Sequence, residues 1–328
     1  MKCRHSYDHR RMDTFASLFL AASVLVGATA CTNAGLDDAT RAAAITEAAD
    51  LIRSEYVYPE IGARLAETLM QNLEDGVYDD ISNKDRLAST VLEEILAATN
   101  DPHFGFFVRR PAADEDTPDP GTSPSASGLR EASVLPGSIG YLALDWMPGD
   151  DDALEAVASA FADLPPVDAL IFDIRENFGG SGDMIGLICG HLFPDSTLLL
   201  TFYDRSGAMN SEVRTKRQQR YFPPEIPVYV LTSENTHSAA EAFAYVLKHQ
   251  GRATIVGDTT PGMANPSNTR SVTGGFALTV PFLRAHHEHT ERDFQGIGVI
   301  PDITVTPEAA LDVAIAEIME NAGAGRQR

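Results

Sequence analysis

The chain passes from a strand into a helix within Leu231-Thr-Ser-Glu-Asn-Thr-His-Ser-Ala-Ala-Glu-Ala-Phe-Ala-Tyr-Val-Leu-Lys248. The apolar run over residues 228–232 predicts a short buried strand, and the apolar spacing over 239–248 predicts a helix. Ser238 therefore lies on the turn where the helix begins. A hydroxyl there is exposed beside free backbone N–H groups and the positive end of the helix dipole, which suits a nucleophile whose reaction forms an oxyanion.

The same residues also fit a purely structural interpretation. Ser238-Ala-Ala-Glu241 has the pattern of a capping box, in which the serine and the glutamate satisfy N–H groups of the first helical turn and do no chemistry. This segment alone fits both interpretations.

Three ordered blocks of the sequence resemble one peptidase family. The segment above, followed by Gly251-Arg-Ala-Thr-Ile-Val-Gly-Asp-Thr-Thr-Pro-Gly262, resembles the nucleophile region of the C-terminal-processing (tail-specific) serine peptidases. Leu170-Ile-Phe-Asp-Ile-Arg-Glu-Asn-Phe-Gly-Gly180 resembles the strand and glycine turn of the family's oxyanion hole, and Gly296-Ile-Gly-Val-Ile-Pro-Asp302 resembles a third signature. The superfamily includes the tricorn core protease and the interphotoreceptor retinoid-binding protein, and the resemblance implies a ClpP/crotonase-like fold.

The pattern of apolar residues predicts an α/β fold with an N-terminal helical subdomain. Helical spacing is found over Asp37 to Tyr56, Pro59 to Glu74 and Asn83 to Thr99, and the later two thirds alternate strands with helices. We predict a helical subdomain at 36–108, a flexible linker at 109–127, an α/β peptidase core at 128–320 and a disordered tail at 321–328. The linker interval is too short for the PDZ domain that many family members carry, since a folded domain needs about 50 residues or more.

The resemblance also implies a catalytic base. Relatives with a Ser-Lys dyad carry the lysine in a segment that aligns with 257–265, which here contains none. Tricorn-type members use a histidine in a motif similar to Asp101-Pro-His-Phe104, which selects His103, and an imidazole titrating near neutrality suits a base for serine. His237 adjoins Ser238, but neighbouring side chains in a turn point apart. Lys248 lies about three helical turns from Ser238, too far to take its proton.

A third group orients the base in serine triads. The family often has a glutamate at the position of Gln295, and a neutral amide stabilises an imidazolium less well. Four acidic residues are alternatives for this role: Glu241, Asp101, Asp258 and Asp293. For the oxyanion hole the resemblance implies the backbone N–H of Ala239 and one from Gly179 or Gly180, where glycine permits close approach of the backbone to substrate.

The N-terminus and the overall charge indicate the setting. Residues 1–30 have a basic start and an apolar core, which predicts a signal peptide, and Ala28-Thr-Ala-Cys31 resembles a bacterial lipobox with Cys31 as the lipidated residue; ordinary cleavage after Ala30 is the alternative. We thus expect an exported protein of a bacterial cell envelope, held at the membrane only through a lipid. The net charge of −22 argues against nucleic-acid or anionic-membrane binding by general electrostatics.

Two functions remain from the sequence. The first is an exported serine-type peptidase acting on polypeptides, in which Ser238 attacks and His103 carries the proton. The second is a non-catalytic module that keeps the cleft for an apolar ligand or peptide, which Gln295 favours. We expect no metal and no cofactor, because the His286-His-Glu-His289 cluster lacks the helical spacing of common zinc motifs and no dinucleotide or phosphate motif is present. The sequence does not indicate an oligomeric state.

Overall fold

The computed structural model describes residues 36–110, 125–287, 290 and 293–325. The predicted signal peptide, the proposed lipid site at Cys31 and residues 111–124 of the predicted linker lie outside these ranges, as do two residues of the His286–His289 cluster. In the described part of the chain, no helix is long and apolar enough to cross a membrane.

The N-terminal third forms three packed helices close to the predicted bounds: α1 (Asp38–Glu55), α2 (Pro59–Glu74) and α3 (Lys84–Thr99). Side-chain caps define the starts of α1 and α3, because Asp37 accepts from the N–H of Thr40 and Asn83 accepts from the N–H of Arg86. Asn100 ends α3 in the left-handed conformation at φ 48°. The helices share one apolar core, and the turn after α3 carries His103.

A three-stranded antiparallel sheet completes this helical core. Its central strand is β10, which pairs with β1 on one side and β9 on the other. The strands are β1 (Gly105–Val108), β9 (Ser267–Val272) and β10 (Phe276–Pro281). β9 and β10 form a hairpin through residues 273–275, and Phe276 and Leu278 of β10 pack into the helical core. The subdomain at 36–108 therefore takes part of its core from a much later segment, which local sequence patterns do not show.

The larger α/β core is built on a six-stranded sheet in the order β12-β8-β7-β4-β3-β2. All neighbouring pairs are parallel except β2 with β3. The strands are β2 (Leu129–Leu135), β3 (Ile139–Leu144), β4 (Ala169–Asp173), β7 (Val228–Thr232), β8 (Thr254–Gly257) and β12 (Ile303–Thr304). Alternate residues of β4 point to opposite faces, so Leu170 and Phe172 lie in one core while Ile171 lies in the other.

Helices cover both faces of this sheet. They are α4 (Asp151–Asp163), α5 (Gly182–Cys189), α6 (Ala239–His249) and α7 (Ala310–Gly325). A second small sheet, in the order β11-β5-β6, is formed by β5 (Leu198–Tyr203), β6 (Met209–Arg214) and β11 (Arg284–His286). Cys189 is buried in the apolar core.

The structure differs from the sequence-based expectations in two places. The sequence pattern does not predict five of the strands: β2, β5, β6, β11 and β12. A disordered tail is expected at 321–328, whereas α7 continues to Gly325. The helix extends because no proline or other strong breaker follows Met319 directly, and the alanines of this segment favour helix.

Candidate active site

Ser238 occupies a strained turn between β7 and α6. Its backbone has φ 54° and ψ −115°, a conformation that a residue with a side chain rarely adopts. Ordinary helix caps lie in the extended region instead, so capping alone does not require this geometry. Strain of this kind costs about 1–3 kcal/mol and persists only where surrounding contacts impose it, which is typical of functional turns.

Hydrogen bonds to the preceding glycine-rich segment hold the turn. The N–H of His237 donates to the carbonyl of Asn177 at 2.8 Å, and the hydroxyl of Thr236 donates to the carbonyl of Ile174 at 2.8 Å. The hydroxyl of Ser233 donates to the carbonyl of Arg175. These bonds fix the end of β7 against the end of β4, so that the two candidate segments meet at one edge of the sheet.

Glu241 forms its half of the predicted capping box, because its carboxylate accepts the N–H of Ser238. The carboxylate of Glu241 is fully buried and accepts hydrogen bonds from four donors, the Ser238 N–H, the Thr260 hydroxyl and the Gly262 and Met263 N–H groups. Burial raises the pKa of this carboxyl, while the donors act in the opposite direction. Glu241 is thus committed to holding the turn and the loop at 260–263, which leaves it no free oxygen for the base.

Two glycines bring backbone close to Ser238. Gly179 has φ 99°, and a Cβ atom there would lie 2.7 Å from the Cβ of Ser238, so only glycine fits. Its N–H, however, donates to Oδ1 of Asn177 at 2.9 Å. Gly180, at φ 141°, is held through its neighbours, because the Met147 N–H donates to the Gly179 carbonyl and the Ser181 N–H donates to the Met147 carbonyl.

The N–H groups of Gly180 and Ala239 have no hydrogen-bond partner within the described ranges. Both residues line the cavity that Ser238 faces. Of the two candidate glycines, Gly180 therefore has the unbonded N–H group. Gly179 lacks the Cβ atom that would collide with Ser238. Among the backbone donors that the resemblance implies, Gly180 and Ala239 thus combine an unbonded N–H with a place in the cavity lining.

His103 lies on the turn after α3 and lines the same cavity as Ser238. This cavity has a volume of about 340 Å³, and the rest of its lining is mostly apolar, from Ile185, Leu200, Phe202, Ala242, Ala264, Pro266, Leu283 and Ala285. The turn is anchored by Asp101, whose Oδ1 accepts the N–H of His103 at 3.1 Å. The fold thus brings two distant candidates, predicted from separate motifs, to one pocket.

The environment keeps the His103 imidazole neutral. Burial, and secondly the neighbouring His237, lower its pKa to about 4. Its Nδ1 is buried and has no hydrogen-bond partner among the described residues. His237 turns towards its own loop, with Nε2 3.2 Å from the carbonyl of Glu234, and does not line the cavity. His103 is therefore the better placed of the two histidines to accept a proton from Ser238.

Gln295 does not bond to the imidazole in this structure. Its Oε1 accepts the N–H groups of Ala264 and Asn265 at 2.9 and 3.1 Å, and its Nε2 is buried without a partner in the described part of the chain. Gln295 therefore positions the segment that forms one wall of the cavity. Its predicted role in orienting His103 remains a prediction.

Asp101 is the buried carboxylate that holds the turn at His103. Its Oδ2 accepts from Asn265 Nδ2 at 3.0 Å and from the Tyr56 hydroxyl at 3.4 Å. Burial raises the pKa of Asp101, while hydrogen bonds from Asn265 and from the His103 backbone lower it. Asp101 thus fixes the backbone of His103. The other two alternatives are engaged locally, Asp258 with the N–H of Thr259 and Asp293 with the N–H of Gln295.

A model of peptidase family S41 matches residues 138–305, which include both glycine and serine turns. The chain belongs to peptidase family S41. A second model, described as the N-terminal domain of this family in eukaryotic IRBP, matches residues 38–133. The resemblance to C-terminal-processing peptidases is confirmed.

The S41 chain is 31% identical over 194 residues to a carboxyl-terminal-processing protease of Synechocystis sp., a match that covers 56% of this chain and 41% of that protein. It spans less than half the length of the curated relatives that it matches. Two solved structures share the fold. A protein of Parabacteroides merdae, described as a putative peptidase, has a TM-score of 0.61 at 18% identity, with coverage of 86% of this chain and 97% of that one. The tricorn protease has a TM-score of 0.56 at 16% identity, with coverage of 86% and 37%. The predicted α/β fold with an N-terminal helical subdomain is confirmed.

In this S41 chain no lysine is placed to act as a base for Ser238 among the described residues considered for that role, 257–265 and Lys248. Residues 257–265 contain no lysine, and Met263 and Ala264 occupy that part of the loop. Lys248 is paired with Oδ1 of Asp302 at 2.6 Å and also donates to the carbonyl of Ile300. Since Asp302 also accepts the N–H of Ile255, this pair secures β8 far along α6 from Ser238.

Sequence reasoning missed Asn177 as a residue of the site. Its side chain is fully buried, accepts the N–H of Gly179 and donates to the carbonyl of Leu144. A polar amide just before two glycines at the end of a buried strand is the signal that could have identified it. Asp173 and Arg175, by contrast, form a structural ion pair at 2.7 Å.

Proposed function

We propose that the chain is a serine peptidase that hydrolyses polypeptides with Ser238 as nucleophile, His103 as general base and the N–H groups of Gly180 and Ala239 as the oxyanion hole. The observation that carries the proposal is the cavity that all four residues line, with Ser238 on a strained turn at the start of a helix. Membership of family S41 supports peptide-bond hydrolysis as the chemistry.

The steps follow from the groups in place. The Ser238 hydroxyl attacks the scissile carbonyl carbon as its proton passes to the neutral His103, and the carbonyl electrons move to the oxygen held by the two N–H groups. Collapse of the tetrahedral intermediate breaks the C–N bond, and the imidazolium gives its proton to the leaving amine. Water then attacks the acyl ester with the same base, which releases the carboxylic acid and restores Ser238.

A binding module is the second candidate. It is favoured by the partnerless Nδ1 of His103, because no carboxylate among the described residues stabilises the imidazolium that the first step requires. The lowered pKa of His103 points the same way, since a base that binds protons weakly transfers them less effectively near neutral pH. In that case the apolar cavity would hold a ligand or peptide without cleaving it.

We also propose that the protein is exported and lipid-anchored at Cys31 in a bacterial envelope. The basic residues near the start, the apolar segment after them and the Ala28-Thr-Ala-Cys31 pattern support this. Labelling cells with a radioactive fatty acid, with Cys31→Ser as the comparison, tests it. Retained label in that variant would contradict the assignment.

Labelling with a fluorophosphonate probe tests the catalytic proposal. We expect an adduct on Ser238, located by mass spectrometry, that is absent in Ser238→Ala and strongly slowed in His103→Ala, and cleavage of fluorescent casein lost in both. Ser206→Ala, at an exposed serine outside the cavity, is the matched control and should label normally. Absence of an adduct in folded protein would instead support the binding module.

A further inference from the structure

A pair of aromatic rings, one exposed and one half-buried, lies beside the glycine turn of the candidate site. Trp146 and Phe178 are stacked with ring centroids 6.1 Å apart and planes 9° from parallel. The Phe178 side chain is 53% exposed, which is unusual for a large apolar ring placed next to a buried turn. We call this pair the aromatic ledge.

Hydrogen bonds hold the ledge in place. The indole N–H of Trp146 donates to the carbonyl of Ser125 at 2.9 Å, so its polar atom is satisfied by the protein. The N–H of Phe178 donates to the carbonyl of Asp145 at 3.2 Å. Rigid aromatic surfaces bind other side chains at a small cost in conformational entropy, because few torsions remain to be ordered.

The ledge is continuous with the candidate active site. Phe178 directly precedes Gly179, which contacts Ser238, and Trp146 directly precedes Met147, whose N–H and carbonyl flank Gly180. Neither ring lines the apolar cavity itself. The glycine turn therefore connects the two features: Gly180 lines the cavity, and Phe178 of the ledge directly precedes Gly179.

We propose that the aromatic ledge is a second substrate subsite, which binds an apolar or aromatic side chain adjacent to the residue whose side chain enters the cavity. The inference rests on the proposed peptidase function and adds a specificity element to it. Successive side chains of an extended peptide point in opposite directions. When one side chain fills the cavity, the next one points away from it and needs a separate surface, and the ledge offers such a surface within reach of the same turn.

The chain provides its own probe of this subsite, because Trp146 is its single tryptophan. Short acetylated and amidated peptides of alanine, with one leucine for the cavity, are titrated into the Ser238→Ala protein while its tryptophan emission is recorded. One set carries a phenylalanine on either side of the leucine, and the reference peptide carries alanine there. Phe178→Ala is compared with Phe107→Ala, another exposed phenylalanine outside the ledge and the cavity.

We expect saturable changes in Trp146 emission, with one phenylalanine-containing peptide binding more tightly than the reference. Phe178→Ala should weaken that peptide by about five- to tenfold, the value of one aromatic contact, and leave the reference peptide unchanged. Phe107→Ala should change neither. No saturable change with any peptide, or equal weakening of both peptides by Phe178→Ala, would overturn the proposal.

Fluorophosphonate labelling separates this proposal from the catalytic one. The probe needs Ser238 and the oxyanion donors but no neighbouring side chain, so its reaction reports the catalytic proposal without occupying the ledge. If Ser238 does not label in the natural chain, the peptidase proposal fails while the fluorescence titration still decides whether the ledge binds peptide.

Discussion

The backbone N–H of Ser238 donates to Oε2 of Glu241 at 2.8 Å, which ties the strained serine turn to a buried carboxylate. The other oxygen of Glu241 accepts the Thr260 hydroxyl and the Gly262 N–H, each at 2.6 Å. One side chain therefore connects Ser238 to the loop that leads to Ala264 in the wall of the cavity. The loop contains no lysine, so the hydrogen bonds of Glu241 fix the geometry of the serine turn and do not supply a base.

Glu241→Gln should lower both stability and reactivity. The amide replaces an oxygen acceptor by a donor, which then faces donors that have no alternative partner in a buried site. The free energy of unfolding should fall by about 2 kcal/mol or more, since hydrogen bonds to charged groups are worth about 1.5–3 kcal/mol. Urea unfolding measures the change, and fluorophosphonate labelling of Ser238 should slow in parallel. Glu93→Gln, on the exposed face of α3, is the control, and equal unfolding of the two variants would contradict the role of Glu241.

The helical region could be predicted almost to the residue from the sequence. Asp37 and Asn83 are caps that begin α1 and α3, and local hydrogen bonds alone place them. Two of the strands that sequence reasoning misses, β2 and β6, are mostly exposed and carry no clear apolar pattern. β6 (Met209–Arg214) is polar and mostly exposed, so it shows no period-two pattern, and only its pairing with β5 makes it a strand.

The site could be predicted as a set of residues but not as a set of contacts. Motifs identify Ser238, His103 and the glycines, and the fold brings them to one cavity. No motif shows which way a side chain points. The carbonyl of Gln295 faces the backbone at 264–265 and the N–H of Gly179 is taken by Asn177, and both facts depend on the packing of the folded chain.

The pH dependence of Ser238 labelling should report His103. Burial and the charge of His237 lower the pKa of His103 to about 4, so its imidazole is neutral throughout the range from pH 8 to about 5. The labelling rate should be flat there and fall as the pH approaches 4, because protonation removes the base. An unperturbed histidine would give the fall near a pH of about 6.5.

Two variants check the origin of that midpoint. His237→Asn removes one of the causes of the shift, so the midpoint should move upward, though burial keeps it below the ordinary value. His249→Asn, on α6 outside the cavity, should leave it in place. A midpoint near the ordinary value of about 6.5 in the natural chain would show that His103 is more solvated than its burial indicates, or is not the base.

Gln295→Glu tests how closely the amide lies to Asp101. The carboxylate can keep the bonds from the N–H groups of Ala264 and Asn265. Its second oxygen, however, replaces the buried Nε2, which lies near the Asp101 carboxyl. Two carboxyls in one buried site cannot both ionise easily, so the pKa of the pair should rise in the folded state. The variant should therefore be nearly as stable as the natural chain at low pH and lose stability as the pH rises through the unfolded-state pKa towards the raised one.

Chemical unfolding at a series of pH values measures this difference. Gln219→Glu, at an exposed position, introduces the same charge without burying it and should show little pH-dependent loss. If the two variants follow the same pH curve, Gln295 does not share a low-dielectric site with Asp101.

Gly179→Ala should abolish labelling of Ser238. A second glycine with a positive φ serves as the control that separates the steric effect of the new Cβ atom from backbone strain. A Cβ at Gly179 would lie 2.7 Å from the Ser238 Cβ and 2.9 Å from the His237 carbonyl oxygen, with φ at 99°. Gly207 also has a positive φ, 80°, but a Cβ atom there would meet nothing within 4 Å, so Gly207→Ala carries the conformational cost alone. Both variants should lose about 1 kcal/mol or more of unfolding free energy, but only Gly179→Ala should displace Ser238 and stop the reaction with the probe. Full labelling of folded Gly179→Ala would show that the serine turn tolerates a side chain there and that this close approach is not required for the nucleophile.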